Sequence, residues 1–286
     1  MSEQPTDPAA VARLRGSGLR VSYGDRTVLD DIDIAVPDGG FTVIIGPNAC
    51  GKSTLLAALG RLLRPAAGSV ILDGKAIHSY PAKETARRIG LLPQTPGSPD
   101  GIVVGDLVAR GRYPHQGLLH QWSDDDATAV ADALAATGTT ALRHRRVDEL
   151  SGGQRQRVWI AMVLAQATPI VLLDEPTTYL DISHQLEVLD LCERLHREHG
   201  RTVVAVLHDL NLACRYATEL IAMRDGRIAG RGGPRELVTP ELVREIFDLD
   251  CVIVEDPVTG TPMIVPGRRP ATPENAVTPA ELGGAR

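Results

Sequence analysis

The chain has 286 residues, 43% of them hydrophobic and 23% charged, with a formal net charge of −6. That length can bury one large core or two modest ones; no apolar run approaches the ~20 residues that cross a bilayer, and the acidic balance offers no basic face for nucleic acid. Residues 1–10 are polar, with no apolar core behind a basic start, and the four cysteines (Cys50, Cys192, Cys214 and Cys251) show neither a disulfide nor a metal-ligand pattern, so a cytoplasmic protein with reduced thiols is expected.

Residues 1–16 are expected to be a flexible N-terminus. Leu19, Val21 and Tyr23 alternate, as do Ile32, Ile34 and Val36, which predicts strands over 19–23 and 28–36 in an antiparallel lobe. Phe41 to Ile45 is a short continuous apolar run, the pattern of a parallel strand buried on both faces. Directly after it stand Gly46, Pro47, Asn48, Ala49, Cys50, Gly51, Lys52, Ser53 and Thr54, which open an amphipathic helix predicted from Lys52 to Leu63 and closed by Pro65. Gly46 and Gly51 frame four residues ahead of Lys52 and Ser53, the spacing at which backbone N–H groups curl around an anion at a helix start. Lys52 adds a mobile positive charge for the β- and γ-phosphates, and the Ser53 hydroxyl is placed to ligate Mg²⁺. Only three of the 30 basic residues are lysine, so lysine at this position indicates a need for a compact ammonium rather than a planar fork. Cys50 reads as a small packing residue within the loop.

Val70 to Ile77 predicts another hairpin around Asp73-Gly74. From about 95 to 168 the pattern is helical without a clear strand; Ser123 followed by Asp124, Asp125 and Asp126 marks a helix start, and Gly138 its stop. Leu150-Ser151-Gly152-Gly153-Gln154 then begins a further helix. Ser151 alone fits an N-cap, but two glycines weaken helix initiation, a cost that makes sense if bare N–H groups approach a phosphate. A second anion-binding helix start is redundant unless each chain completes another chain's site, so two copies sharing nucleotides are expected.

Ile170 to Leu173 is again a buried strand, ending in Asp174 and Glu175 at the edge where open α/β folds bind ligands. Asp174 suits the coordination sphere of Mg²⁺, and Glu175 suits the general base that polarises an attacking water. Ile182, Leu186, Leu189, Cys192 and Leu195 keep helical spacing until Gly200, and Thr202 to Leu207 is a third buried strand. A hairpin at 220–229, a helix at 240–247, a hairpin at 249–266 and a disordered Pro/Gly/Ala-rich tail at 267–286 complete the chain.

The loop at 46–54, the Leu150–Gln154 segment and the 170–175 run match Walker A, the signature and Walker B in their usual order. Over residues 17–248 the chain therefore resembles the ATP-binding subunit of an ABC transporter. The resemblance implies an α/β fold: a P-loop NTPase core with an antiparallel β lobe and an inserted helical subdomain. It implies that Tyr23 stacks on adenine, that Gln94 reaches Mg²⁺ and the water, that Asp181 is the D-loop aspartate and that His208 contacts the γ-phosphate. Taken singly, Tyr23 fits a core aromatic, Gln94 a surface polar residue and His208 a cap equally well. ATP and Mg²⁺ are the implied cofactors. Implied partners are a second copy, transmembrane permease subunits touched by residues around 95–115, and a substrate-binding protein acting through the permease, with the chain peripheral on the inner face of the membrane.

Residues 109–115, Ala-Arg-Gly-Arg-Tyr-Pro-His, and 175–182 resemble more narrowly the importers of ferric siderophores, haem or cobalamin. An exporter shares every catalytic motif, so only the Tyr113 region speaks against it. A soluble ABC ATPase of chromosomes or ribosomes would carry long coiled coils or two cassettes, and neither pattern is present. Ala49 and Cys50 depart from the family's frequent glycine and small residue; alanine resists positive φ, so the backbone at 49 is expected to suit alanine.

Overall fold

The computed structural model describes residues 12–117 and 122–267. The expected tail, apart from Gly267, and residues 1–11 of the expected N-terminal segment lie outside that range. Leu14, Arg15 and Gly16, expected in that segment, instead begin the first strand, β1 (Leu14–Tyr23), which pairs with β2 (Arg26–Val36) and with β4 (Ala67–Leu72). Leu14 is fully buried, so the apolar alternation starts one short interruption earlier than Leu19, across a register shift at Gly18. β5 (Lys75–Ala76) closes this antiparallel sheet in the order β2-β1-β4-β5, with Asp73 and Gly74 both at positive φ in the tight turn.

The second sheet has the order β10-β9-β3-β8-β7-β6, built from β3 (Phe41–Ile45), β6 (Ile89–Leu92), β7 (Ile170–Asp174), β8 (Thr202–Val206), β9 (Glu219–Arg224) and β10 (Arg227–Gly232). All neighbours are parallel except β10 against β9. Its central strands explain their unbroken apolar sequences. Phe41, Val43 and Ile45 pack into one core with Val171, Leu173, Val203 and Ala205, whereas Ile44 joins Leu172, Val204 and Val206 in the other.

Helix α1 (Lys52–Leu59) is shorter than its apolar spacing predicts. Gly60 ends it, Arg61 takes a left-handed φ of 66°, and the Leu62 N–H reaches back to the Ala57 carbonyl at 2.8 Å, which is a Schellman stop. Leu62 is consequently 61% exposed instead of lying on the helix's buried face.

After α2 (Ala82–Ala86), the helical region comprises α3 (Val104–Ala109), α4 (Asp124–Ala136) and α5 (Gly152–Ala165). Ser123 and Asp126 form a reciprocal capping box at the start of α4. Asp126 is buried as well and pairs with Arg112, Nε to Oδ1 at 2.8 Å, while the Arg112 Nη1 donates to the Ala165 carbonyl at the far end of α5. The Arg112 guanidinium and the capping N–H of Ser123 hold the Asp126 carboxyl below the usual carboxylate range despite its burial. The turn bearing exposed Tyr113 is thereby fastened to the C-terminal end of α5. The remaining helices are α6 (Ile182–Arg197), α7 (Leu210–Tyr216), α8 (Pro234–Leu237) and α9 (Pro240–Phe247), and β11 (Cys251–Glu255) with β12 (Pro262–Pro266) form a terminal hairpin. No helix of the described residues is long and apolar enough to cross a membrane.

Candidate nucleotide site

The C-terminal ends of β3, β7 and β8 meet at a cleft of about 870 Å³. Gly46 to Ala49 and Gly51 to Thr54 line it, with Gln94, Glu175, Thr178 and His208. Gly46 has φ 152°, and a Cβ there would stand 2.3 Å from the Met223 carbonyl; Gly51 has φ 106°, and a Cβ would meet Leu29 at 2.8 Å. Both glycines are thus required by positive φ and close approach together. Gly51 is the N-cap of α1, yet no side chain caps this helix and its first turn holds no acidic residue. The positive end of its dipole therefore faces the cleft, with no capping side chain over it among the described residues.

Lys52 is 5% exposed, and its ammonium donates to the Gly46 and Pro47 carbonyls, 2.8 Å each, bracing the loop from within. Ser53 Oγ donates to Asp174 Oδ1 at 2.9 Å. Burial pushes the Asp174 carboxyl up, and the adjacent Glu175 charge adds to this, while the Ser53 hydroxyl and Lys52 work in the opposite direction. Glu175 Oε1 lies 2.7 Å from His208 Nε2, and its Oε2 accepts from Thr178 Oγ1 at 3.2 Å. Glu175 itself has a left-handed φ of 52°. Backbone held in such a region costs of order 1–3 kcal/mol and persists where the surroundings over-determine it.

Ala49 corrects the sequence expectation, since its φ is 61° and the loop does not relax to suit alanine. Cys50 is 5% exposed, with burial pushing its thiol pKa up, as for an inert packing residue. Tyr23 is 54% exposed at the end of β1, opposite Arg26, so it is not a core aromatic. Arg26, Val28 and Phe247 also line the cleft and carry no sequence motif that announced them.

Tyr23, Cys50, Asp174, Ser151, Gly152, Gly153, Gln154 and Asp181 are not among the residues lining this cleft, although Asp174 adjoins it through its bond from Ser53. Ser151 and Gln154 form a capping box at the start of α5, with side chain to N–H distances of 3.2 and 3.3 Å. Gly153 has an internal reason to lack a side chain, because a Cβ would approach Leu180 Cδ2 to 3.1 Å. Asp181 is the N-cap of α6, and the His184 N–H, then Ser183, hold its carboxyl at about 2. Tyr179 and Ile182, on either side of it, are 83% and 77% exposed, so Ile182 does not join the buried face of α6 that its spacing suggested.

A parallel sheet with a glycine-rich phosphate loop between β3 and α1, and carboxylates at the end of β7, defines a P-loop ATPase. The ABC transporter family profile matches residues 29–178. The chain is 58% identical to the ferric enterobactin transport ATP-binding protein of Escherichia coli (strain K12), over 92% of this chain and 97% of that protein. It is 47% identical to the iron(3+)-hydroxamate import ATP-binding protein of Bacillus subtilis (strain 168), over 86% of this chain and 91% of the other. Among solved structures, an inward-facing metal-chelate type ABC transporter superposes with a TM-score of 0.76 at 28% identity, covering 90% of this chain and 97% of its own. The chain belongs to the ABC transporter family as an ATP-binding subunit, and it is an ATPase.

Proposed function

We propose that the protein hydrolyses ATP in a dimer of two copies to drive uptake of a ferric siderophore or related iron chelate through a separate permease, from the inner face of the cell membrane. The observation that carries the catalytic part is the convergence of Lys52, the Ser53–Asp174 pair and the Glu175–His208 pair on one cleft. In this reading backbone N–H groups between Asn48 and Thr54 and the Lys52 ammonium hold the triphosphate. Glu175 takes a proton from the attacking water, and His208 with Gln94 orients the γ-phosphate. Tyr23, exposed at the β1–β2 turn, offers its ring to adenine.

Mg²⁺ fits the residues present. Asp174 is a carboxylate whose burial disfavours its charge beside a second carboxylate, and Ser53 supplies a neutral oxygen 2.9 Å away. Among the described residues no group of three or more His, Cys, Asp or Glu could cage a metal by itself, which matches an ion completed by phosphate oxygens and water. Ser53, Asp174 and Gln94 would hold it, and when bound it neutralises charge on the phosphates.

The second copy is supported by what one chain lacks. Ser151 to Gln154 open a helix away from the chain's own cleft, and Tyr179 and Ile182 expose apolar surface around Asp181. Pairing head to tail would bring Ser151 and Gly153 to a neighbour's γ-phosphate and cover that surface. A groove of about 630 Å³ between Tyr113, Trp122, Arg110 and His144 suits a cytoplasmic helix of the permease, to which a substrate-binding protein would deliver the chelate. The iron chelate is favoured by the names of the relatives and by the Tyr113 segment. Nucleic acid is disfavoured by the net charge of −6.

The test is purification from membranes followed by uptake assays in vesicles. Recovery with a multi-span permease and ATP-dependent accumulation of a ferric chelate is the expected result. Recovery with ribosomes or DNA, or outward transport, overturns it.

A further inference from the structure

The C-terminal hairpin is bolted to the helix that starts directly behind His208. Helix α7 is capped by Asp209, so its axis is set two residues after the imidazole. Asn211 and Arg215 stand one turn apart on the same face of α7, and both reach the hairpin. The Asn211 amide bonds both backbone groups of Ile264, accepting from its N–H at 2.7 Å and donating to its carbonyl at 3.3 Å, as a neighbouring strand would. Arg215 donates to Asp256 Oδ2 from Nη2 at 2.6 Å and from Nε at 3.2 Å. Asp256 is 5% exposed, and its other oxygen accepts from the Val258 N–H at 2.8 Å, so the same carboxylate folds the hairpin turn and ties it to α7. Arg215, then the Val258 amide, hold its carboxyl at about 2, so it is charged at any neutral pH. Ile264 enters the main core with Cys214, Val243 and Ile246.

The clamp has a consequence in the cleft. The His208 side chain is 43% exposed and meets Glu175 at 2.7 Å, so its aim depends on the backbone that carries it. Phe247, at the end of the helix leading into the hairpin, lines the same cleft. The hairpin itself lines no part of the cleft; it adjoins two elements that reach it, α7 behind His208 and α9 ending at Phe247.

We propose that Asn211 and Arg215 are positioning residues for ATP hydrolysis: by gripping Ile264 and Asp256 they lock the hairpin to α7 and fix the backbone from which His208 reaches Glu175. The inference rests on the reading of His208 as a residue of the hydrolytic site. Because a small displacement of a reacting group is costly while nucleotide grip lies elsewhere, loosening the clamp should lower kcat and spare KM.

The experiment uses the full chain with its permease. Asp256→Asn keeps an oxygen for the Val258 amide and removes the ion pair, and Asn211→Ala removes the other grip. Each should reduce kcat by roughly 10-fold with ATP affinity unchanged within about twofold. Arg215→Asp combined with Asp256→Arg should recover part of the loss, and Asp256→Asn should add nothing on a His208→Ala background. Wild-type kcat in both clamp variants beside a defective His208→Ala overturns the inference alone, as do clamp losses that add to that of His208→Ala. Wild-type turnover in His208→Ala overturns the reading of His208 and the inference with it.

Discussion

Two helix starts in this chain are built from glycine and serine, and they solve opposite problems. At α1 the N-cap is a glycine at positive φ, no side chain caps the free N–H groups, and the loop behind them holds left-handed Ala49. At α5 Ser151 and Gln154 satisfy the helix end reciprocally. The first is incomplete until an anion arrives. The second is locally complete, and its exposed serine is free to add a contact without being needed as the source of order. The difference separates a helix start left without a side-chain cap beside a strained loop from one closed by its own cap.

Substitutions can break this contrast. Glu175→Gln should leave ATP bound while slowing hydrolysis by roughly 10²-fold or more, the scale for a lost general base, and should trap the state in which both helix starts meet nucleotide. Turnover by phosphate release and dimer content by light scattering check it; unchanged turnover removes Glu175 as base. Next in size, Lys52→Ala should weaken ATP by roughly 10- to 100-fold, the value of about 1.5–3 kcal/mol for a charge-assisted hydrogen bond. Titration calorimetry giving normal affinity would remove that role. Ser151→Ala should cost about 1 kcal/mol of stability without any nucleotide, because it deletes a cap, and should also slow hydrolysis. A melt showing no loss in the nucleotide-free chain would erase the distinction drawn between the two starts. Smallest of all, Ala49→Gly should stabilise the nucleotide-free protein by about 0.5–1 kcal/mol, since glycine relieves the left-handed alanine but carries more entropy unfolded. Denaturant midpoints decide the sign.

What the sequence disclosed depended on whether the signal was local. β3, β7 and β8 are continuous apolar runs because both faces are covered, and the phosphate loop and the carboxylates stand at their ends within a few residues. β6 escaped detection: it is four residues long and contains Gly90, whose Cβ would crowd Thr168 at 2.9 Å, so a packing demand removed a residue that would have marked the strand. Leu62 and Leu63 prolonged the apparent helix because periodicity continued through a Schellman stop that only the backbone reveals. In the cleft, Arg26, Val28 and Phe247 come from segments far apart in sequence and have no spacing rule to betray them. Ala49 was misjudged because composition cannot tell whether a loop yields to its residue or the residue to its loop.

The buried grip of Arg112 on Asp126 and on the Ala165 carbonyl gives the outer turn at Tyr113 a solid mechanical shaft. Helix α5 runs 14 residues from that grip back to Ser151, about 21 Å at the ordinary helical rise. Pressure on the aromatic knob at one end cannot dissipate in a slack joint, so it must tilt or translate the whole shaft and carry the serine tip with it.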